Sequence, residues 1–188
     1  RSPVYEVEYR AGVEGGIVTI SFENVLLSFY SSAAPNEIPV NNYCLEVLRQ
    51  DLTQTRTIEM PSHDALTLSH GEAVISVKRF GLSANNITYG IAGEITGYWH
   101  FFPADGDYGR IPVWGMGTII DPGQTDLKAG DEYYGYYPMA TYLVVKPEHI
   151  TARGFNDSAE HRSALPPTYN HYSLMTAPNG FNREYDSH

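Results

Sequence analysis

The sequence contains little cysteine and lacks long apolar runs. Its 188 residues include one cysteine, Cys44, so an internal disulfide is impossible and the composition is typical of a reducing compartment. We therefore expect a cytoplasmic protein. No apolar stretch approaches the roughly 20 residues that a helix needs to cross a bilayer. Cys44 follows Tyr43 at the start of an apolar run, which predicts a buried small hydrophobic side chain rather than a nucleophile.

Positive charge is also scarce. Lysine and arginine together number 12 against 22 aspartates and glutamates, which gives a formal net charge of -10. Binding to phosphate backbones or to anionic lipids needs clustered lysine and arginine, so we expect neither nucleic acid nor a membrane as a partner. Hydrophobic residues make up 42% of the chain and charged residues 18%, which is typical of a soluble globular protein.

The length of 188 residues is enough for one domain with a sizeable core, or for one domain with an appendage. The chain begins at Arg1 rather than at methionine, and no signal-like apolar segment follows. We therefore expect a processed chain or a fragment of a longer protein.

Tyrosine is abundant, with 15 residues against 7 phenylalanines and 2 tryptophans. This favours half-buried strands, in which the ring packs while the hydroxyl stays hydrated. Period-2 alternation and apolar runs between turn residues predict the strands. These lie at 4–10, 17–22, 25–30, 43–49, 55–60, 73–80, 111–120, 133–137 and 141–145.

The remaining segments predict turns and short helices. Residues 51–53 are expected to separate two strands, and 92–102 to form a short helix or a packed loop. A helix is predicted at 158–165 with Asn156 or Asp157 as its cap, and a second one at 167–175. The predicted fold class is therefore mainly β with short C-terminal helices.

Several segments, in a fixed order, resemble the GroES-like N-terminal domain of medium-chain dehydrogenases/reductases, and of the quinone oxidoreductases among them. In that family a strand leads into the active-site loop, and a glycine-rich strand, a Gly-Asp turn and a strand ending in valines follow. The matching segments are 74–78, 80–86, 111–120, 127–131 and 135–145. The resemblance implies a GroES-like, partly open β-barrel.

Further segments look like an uncharacterised, mainly bacterial branch of that superfamily, which carries a domain-of-unknown-function label. They are 85–89, 98–104, 109–115 and 164–170. The likeness runs from about 41 to 172 and implies three parts. Residues 1–40 would be a β-rich extension of unknown role, 41–155 the GroES-like domain, and 156–188 a helical junction and tail leading into a nucleotide-binding domain.

The resemblance implies that no catalytic zinc is bound. Zinc-dependent members carry a cysteine at the position aligned with Ser83 and a Gly-His-Glu sequence in the stretch aligned with 112–114. Here neither place offers a thiolate or imidazole ligand, and a catalytic zinc needs about three protein ligands. A nucleophile elbow, a P-loop and a G-x-G-x-x-G turn are also absent from the sequence.

The zinc-free reaction of the family remains, in which a nicotinamide delivers hydride and the protein polarises the substrate carbonyl. On the loop that matches the active-site loop, the resemblance implies four candidate catalytic residues: Ser83, Asn85, Asn86 and Tyr89. Four further residues are candidates for lining the substrate pocket: Tyr98, Trp99, Arg110 and Trp114.

Each candidate also has a structural interpretation. Asn85 and Asn86 could form a turn. The aromatic residues between 98 and 102 could belong to the core. Arg110 could pair with Asp105 or Asp107.

A reductase of this type needs a Rossmann domain of about 120 or more residues to hold the dinucleotide. We expect NADP(H) as the cofactor of a full-length protein, and we expect that this chain alone cannot bind it in the usual way. One hypothesis is the substrate-side domain of a zinc-independent NAD(P)H-dependent oxidoreductase that acts on an α,β-unsaturated or other carbonyl compound, with a homodimer as an open option. The alternatives are a non-catalytic GroES-like binding or assembly module, and a β-barrel carrier whose pocket residues 1–40 help to form.

Overall fold

The computed structural model describes residues 17–22, 25–30, 42–163 and 165–175, with the backbone alone for 17–22 and 25–30. The strand predicted at 4–10 lies outside the described residues. The described strands are β1 Ile17–Phe22, β2 Val25–Tyr30, β3 Asn42–Leu48, β4 Asp51–Met60, β5 Ala73–Phe80, β6 Tyr108–Gly109, β7 Pro112–Asp121, β8 Glu132–Pro138, β9 Tyr142–Val145, β10 Pro147–Thr151, β11 Gly154–Asp157 and β12 His171–Leu174. The described α-helices are α1 Ala84–Ile91 and α2 Gly93–Thr96.

The strands form three antiparallel sheets. The largest has the order β10-β11-β12-β8-β7-β5-β9, a second has the order β4-β3-β6, and β1 pairs with β2. The seven-stranded sheet curls into a half-barrel. Strand β3 reaches the corner between β8 and β9, where the Leu45 amide donates to the Met139 carbonyl oxygen at 2.9 Å. The predicted mainly β class with few, short helices is confirmed.

Strand β7 shows how the large sheet separates two environments. Alternate residues of a strand point to opposite faces, and Val113, Gly117 and Ile119 are buried on one face. That face forms the main core. Trp114 and Met116 lie on the opposite face and are only partly buried. The site described below is built on this second face.

Gly117 marks a close approach between β7 and β5, as its place inside a predicted strand indicates. A Cβ atom at this position would lie 2.4 Å from Cγ2 of Ile75. The pairing of β5 with β7 is also irregular between Val77 and Arg79. The lack of a side chain therefore lets the two strands pack tightly beside a bulge.

One predicted turn and one alternative interpretation are wrong. Residues 51–53 belong to β4, because the chain reverses already at 49–50 and Leu48 pairs with Asp51. Asn85 and Asn86 do not form a turn but lie in the first turn of α1. The reason for the helix at Asn85 and Asn86 is local, since Ser83 and Asn86 form a capping box that begins α1.

The two helices predicted near the C-terminal end are also wrong. The structure has 3-10 turns at Glu160–Arg162 and Pro167–Asn170, and the second leads directly into β12. Antiparallel pairing of β12 with β8 and β11 competes successfully with helix formation there. The division between 41–155 and 156–188 stays a prediction, and β11 runs across it. Among the described helices, none combines the length and apolarity that crossing a membrane would require.

Candidate functional site

Four tyrosines gather on the second face of the large sheet, and we call them the tyrosine cluster: Tyr89, Tyr98, Tyr136 and Tyr169. Tyr136 lies on β8 and is fully buried, while the other three are partly exposed around it. Tyr89 comes from α1, and Tyr98 and Tyr169 come from 3-10 turns. Two connections of the fold, between β5 and β6 and between β11 and β12, therefore meet over one strand.

The rings of the cluster are in direct contact. The ring centroids of Tyr89 and Tyr98 are 4.6 Å apart, and those of Tyr136 and Tyr169 are 4.9 Å apart. The hydroxyls of Tyr98 and Tyr169 share a hydrogen bond of 3.0 Å. Phe101, which is fully buried, packs edge-on against Tyr136 at 5.1 Å. The cluster thus combines an apolar floor with several hydroxyl groups.

The environment keeps these hydroxyls protonated. The hydrogen bond with Tyr169, together with desolvation, raises the pKa of Tyr98 to about 12. Burial is the largest cause of the pKa of Tyr136 lying far above its ordinary value, and Tyr89 and Tyr98 add to the effect. Within the described residues the buried Tyr136 hydroxyl makes no hydrogen bond of good geometry. A weak hydrogen-bonding interaction with the Tyr89 side chain is the smallest of the causes that raise the pKa of Tyr136.

Trp114 extends the cluster toward solvent. Its ring lies 5.0 Å from that of Tyr136, to which it is paired across β7 and β8. It also stacks on Tyr134 at 5.6 Å with an interplanar angle of 12°. Tyr134 is 37% exposed. Trp114 and Tyr134 therefore form an aromatic platform at the open side of the tyrosine cluster.

Of the eight predicted site residues, the structure brings Tyr89, Tyr98 and Trp114 together. Ser83 and Asn86 lie at the start of α1, where the Ser83 amide donates to Oδ1 of Asn86 at 2.7 Å. The Asn86 side-chain nitrogen donates to the Pro112 carbonyl oxygen at 2.9 Å. These bonds fix α1, and with it Tyr89, against β7.

Asn85, Trp99 and Arg110 lie apart from the cluster. Asn85 is exposed. Trp99 is 5% exposed and belongs to the main core, where a Cβ atom on Gly93 would lie 2.3 Å from its ring nitrogen. No described contact joins these three side chains to the tyrosine cluster, and their predicted roles in binding or catalysis stay predictions.

Arg110 pairs neither with Asp105 nor with Asp107. Its Nε donates to Oε1 of Glu46 at 3.0 Å, and Arg56 binds the other oxygen of the same carboxylate at 2.6 Å. The Glu46 side chain is 1% exposed. A buried carboxylate needs such partners, because removing its charge from water is costly. Arg110 therefore neutralises Glu46 of β3.

A second buried ion pair is linked through Tyr172 to the backbone of Tyr136, at the base of the tyrosine cluster. Arg162 is fully buried, and its Nη2 donates to the Tyr172 hydroxyl at 3.1 Å. That hydroxyl donates to the carbonyl oxygen of Tyr136 at 2.5 Å. Oδ2 of Asp157 lies 3.3 Å from Nε of Arg162. We call Asp157, Arg162 and Tyr172 the buried strap, because they connect the C-terminal return, which is the segment 158–174 that ends in β12, to the strand that carries Tyr136.

Sequence reasoning missed Tyr136, Tyr169 and the buried strap. The crowding of tyrosines at 133–137 was the available signal for Tyr136, but the strand pairing was needed to place it beside Trp114. Tyr169 lies in a segment with a wrong helix prediction. Nothing in the sequence marks Arg162 as buried.

Among the described residues, neither Cys44 nor the possible metal ligands form a second site. Cys44 is 1% exposed, which confirms the prediction that its side chain is buried, and burial raises the pKa of its thiol to about 11. Within residues 42–163 and 165–175, no group of three or more His, Cys, Asp and Glu residues is arranged to hold a metal ion.

The described residues form a mainly β domain with a curled sheet and an uncharged, tyrosine-rich site beside an exposed aromatic platform. The chain belongs to the family described as protein of unknown function DUF2855, whose model matches residues 80–188. All members of the tyrosine cluster lie in the matched part. The predicted relation to a domain of unknown function is thereby confirmed.

Two solved structures to which the chain is similar are both glucose dehydrogenase of Haloferax mediterranei. The crystal structure of this enzyme is 17% identical with a TM-score of 0.39, and the match covers 64% of this chain and 39% of that one. Its complex with NADP, Zn and gluconolactone is 17% identical with a TM-score of 0.37, covering 56% and 39%. The match therefore spans well under half the length of these structures. No curated protein matches the chain in sequence.

Proposed function

We propose that this chain is the GroES-like, substrate-side domain of a zinc-independent NAD(P)H-dependent oxidoreductase that acts on an α,β-unsaturated or other carbonyl compound. The observation that carries the proposal is the convergence of phenol hydroxyls in the tyrosine cluster beside a partly exposed tryptophan, Trp114. Fixed hydrogen-bond donors in a site of low polarity stabilise a carbonyl oxygen that gains negative charge.

The hydroxyls can donate hydrogen bonds to a substrate oxygen. In the bond between Tyr98 and Tyr169 one hydroxyl donates, so the other keeps its own proton for a substrate oxygen. The Tyr136 hydroxyl lies at the base of the cluster without a hydrogen bond of good geometry among the described residues. A buried polar group without a hydrogen bond lowers the free energy of unfolding by about 1–3 kcal/mol. A bound carbonyl oxygen would recover part of that cost.

The remaining predicted residues take supporting roles in this proposal. Ser83 and Asn86 position α1 and hence Tyr89, and Arg110 stabilises β3 through Glu46. Zinc independence is supported by Ser83 and Val113, which occupy the places that carry zinc ligands in zinc-dependent relatives. The Ser83 amide is bonded to Asn86, and Val113 is fully buried in the core.

The nicotinamide of NAD(P)H, when bound, would supply the hydride, and solvent water would supply the proton that completes the reduction. The pyrophosphate of NAD(P)H needs a glycine-rich turn between a strand and a helix. In the part of the chain that the structure describes, β5 leads into α1 through Gly81, Leu82 and Ser83, which do not form such a turn. We propose that the nucleotide is held outside the described residues of this chain.

The test uses a cyclic enone, 2-cyclohexen-1-one with a 13C-labelled carbonyl, and the 188-residue chain. Infrared difference spectra should show the carbonyl stretch of the bound enone at a lower frequency than in water, because several phenols donate to its oxygen. The triple variant Tyr98→Phe/Tyr136→Phe/Tyr169→Phe keeps the rings and should lose the shift. Tyr108→Phe is the matched control, since Tyr108 stacks under Arg56 in the other sheet.

A carbonyl band that stays at its position in water, or a shift that survives in the triple variant, would refute the proposed site. The far-ultraviolet circular dichroism of each variant should match that of the unmodified chain. This checks that the loss of the shift does not come from unfolding.

A non-catalytic binding module is the second candidate. The raised pKa values of Tyr98 and Tyr136 favour it, because such phenols stay protonated and can donate hydrogen bonds but release no proton near neutral pH. This candidate predicts the same carbonyl shift together with no nucleotide-dependent reduction by the longest natural protein.

A further inference from the structure

A groove of about 280 Å³ lies on the same sheet face, beyond the aromatic platform. It is lined by Lys78, Arg79, Met116, Gly117, Thr118 and Glu132. Both cationic side chains are exposed. Within the described residues neither of them takes part in an ion pair. Two cations thus border one groove in a chain whose net charge is -10.

The bulge in β5 explains how two consecutive residues come to line one groove. Neighbours in a regular strand point to opposite faces. Here Val77 pairs with Gly117 and Arg79 with Met116, so Lys78 is the extra residue of the bulge. A bulge turns the extra side chain away from its regular direction. Nε of the Arg79 guanidinium donates to Sδ of Met116 at 3.0 Å, which holds the guanidinium at the groove wall.

The groove is continuous with the aromatic platform. Met116 is the direct cross-strand partner of Tyr134, and Trp114 precedes Met116 by two residues on the same face. Two residues advance a strand by about 7 Å. A ligand that covers both features would therefore hold its ring about 7 Å or more from its charged group.

We propose that this face binds a planar ring that carries an anionic group. The ring stacks on Trp114 and Tyr134, and the anion lies between the side chains of Lys78 and Arg79. Glu132 at the groove leaves one net positive charge among the three charged side chains, which favours a small anion over a highly charged one. The proposal goes beyond carbonyl reduction, because it uses residues outside the tyrosine cluster and requires no nicotinamide.

Phosphate and carboxylate share this chemistry, and two ligand pairs separate them. Adenosine monophosphate is compared with adenosine, and 2-naphthoate with 2-naphthamide, by calorimetry on the 188-residue chain without NAD(P)H. Inorganic phosphate serves as the anion without a ring. We expect at least one anionic ring ligand to bind about fivefold or more tightly than its uncharged partner and than inorganic phosphate, and to weaken as salt is added. Tryptophan fluorescence should report the same event through Trp114, because Trp99 is 5% exposed.

The double variant Lys78→Ala/Arg79→Ala should lose that preference for the anionic ligand. Lys146→Ala/Arg153→Ala is the control, since it removes equal charge from exposed positions outside the groove. Tyr134→Ala should weaken both members of a ligand pair alike. Equal affinity within both pairs, or an unchanged preference in the groove variant, would overturn the inference. A negative result here would not bear on the proposed carbonyl reduction, and a protein that reduces no enone could still bind an anionic ring ligand at this face.

Discussion

Tyr136 and Tyr137 are neighbours in sequence and have opposite hydrogen-bonding states. Both are fully buried, on opposite faces of β8. The Tyr137 hydroxyl donates to the Tyr133 carbonyl oxygen at 2.9 Å, whereas the Tyr136 hydroxyl has no bond of good geometry among the described residues. A buried hydroxyl without a hydrogen bond lowers the stability of a fold by about 1–3 kcal/mol. We interpret the Tyr136 hydroxyl as a group held ready for a ligand.

This contrast predicts opposite effects of removing the two hydroxyls. Tyr136→Phe should leave the free energy of unfolding unchanged or raise it by up to about 1 kcal/mol, because a buried unsatisfied group disappears. Tyr137→Phe should lower it by about 1–2 kcal/mol, because a satisfied hydrogen bond is lost. Urea unfolding of the two variants measures the difference. Equal destabilisation by both would show that the Tyr136 hydroxyl is satisfied in the folded protein.

At this scale the sequence predicted part of the site. Tyr89, Tyr98 and Trp114 were among the candidates because the resemblance pointed to their segments, and the structure brings them together. Tyr136 could not be found from the sequence, since its proximity to Trp114 depends on the register of β7 with β8. Glu46 is also too far along the chain for its pairing with Arg110 to be read from local patterns.

At the scale of elements, long-range contacts determine the secondary structure wherever local sequence patterns predicted it wrongly. The strands between 73 and 145 were predicted because alternation and turn residues agree with the final sheet. The C-terminal return was not, because residues 158–165 read as a helix while Arg162 is buried against Tyr172 of β12. The conformation of this segment is stabilised by the contact of Arg162 with Tyr172 and by the pairing of β12 with β8, not by helix propensity.

The buried strap gives a prediction for this element. Arg162→Met leaves the Asp157 carboxylate buried without its counter-charge and should destabilise the fold by about 3–5 kcal/mol. The double variant Asp157→Asn/Arg162→Met should cost less, because no charge stays buried and Asn retains the oxygen that accepts from the Lys146 amide. Chemical unfolding compares the two, with the exposed Arg153→Met as control. A single variant no less stable than the double one would contradict the role of the ion pair.

At the scale of the whole molecule, the large sheet has a core side and a second side to which we assign ligand binding. Val113, Tyr137 and their neighbours stabilise the core side. The tyrosine cluster, the aromatic platform and the groove beside Lys78 and Arg79 lie on the other side. The mainly β class could be predicted because the core side imposes alternation on each strand. The groove could not, since it depends on a bulge in β5 that pairing with β7 creates.

The central claim is that the tyrosine cluster serves hydride reduction of a carbonyl compound, and steady-state kinetics of the longest natural protein tests it most directly. We predict NADPH- or NADH-dependent reduction of cyclic enones, with kcat/KM lowered about 100-fold in Tyr98→Phe/Tyr136→Phe, comparable to the loss of one oxyanion donor. Tyr108→Phe should keep the unmodified rate. A protein that binds neither nucleotide, or that reduces the enone equally well in the double variant, would contradict the account.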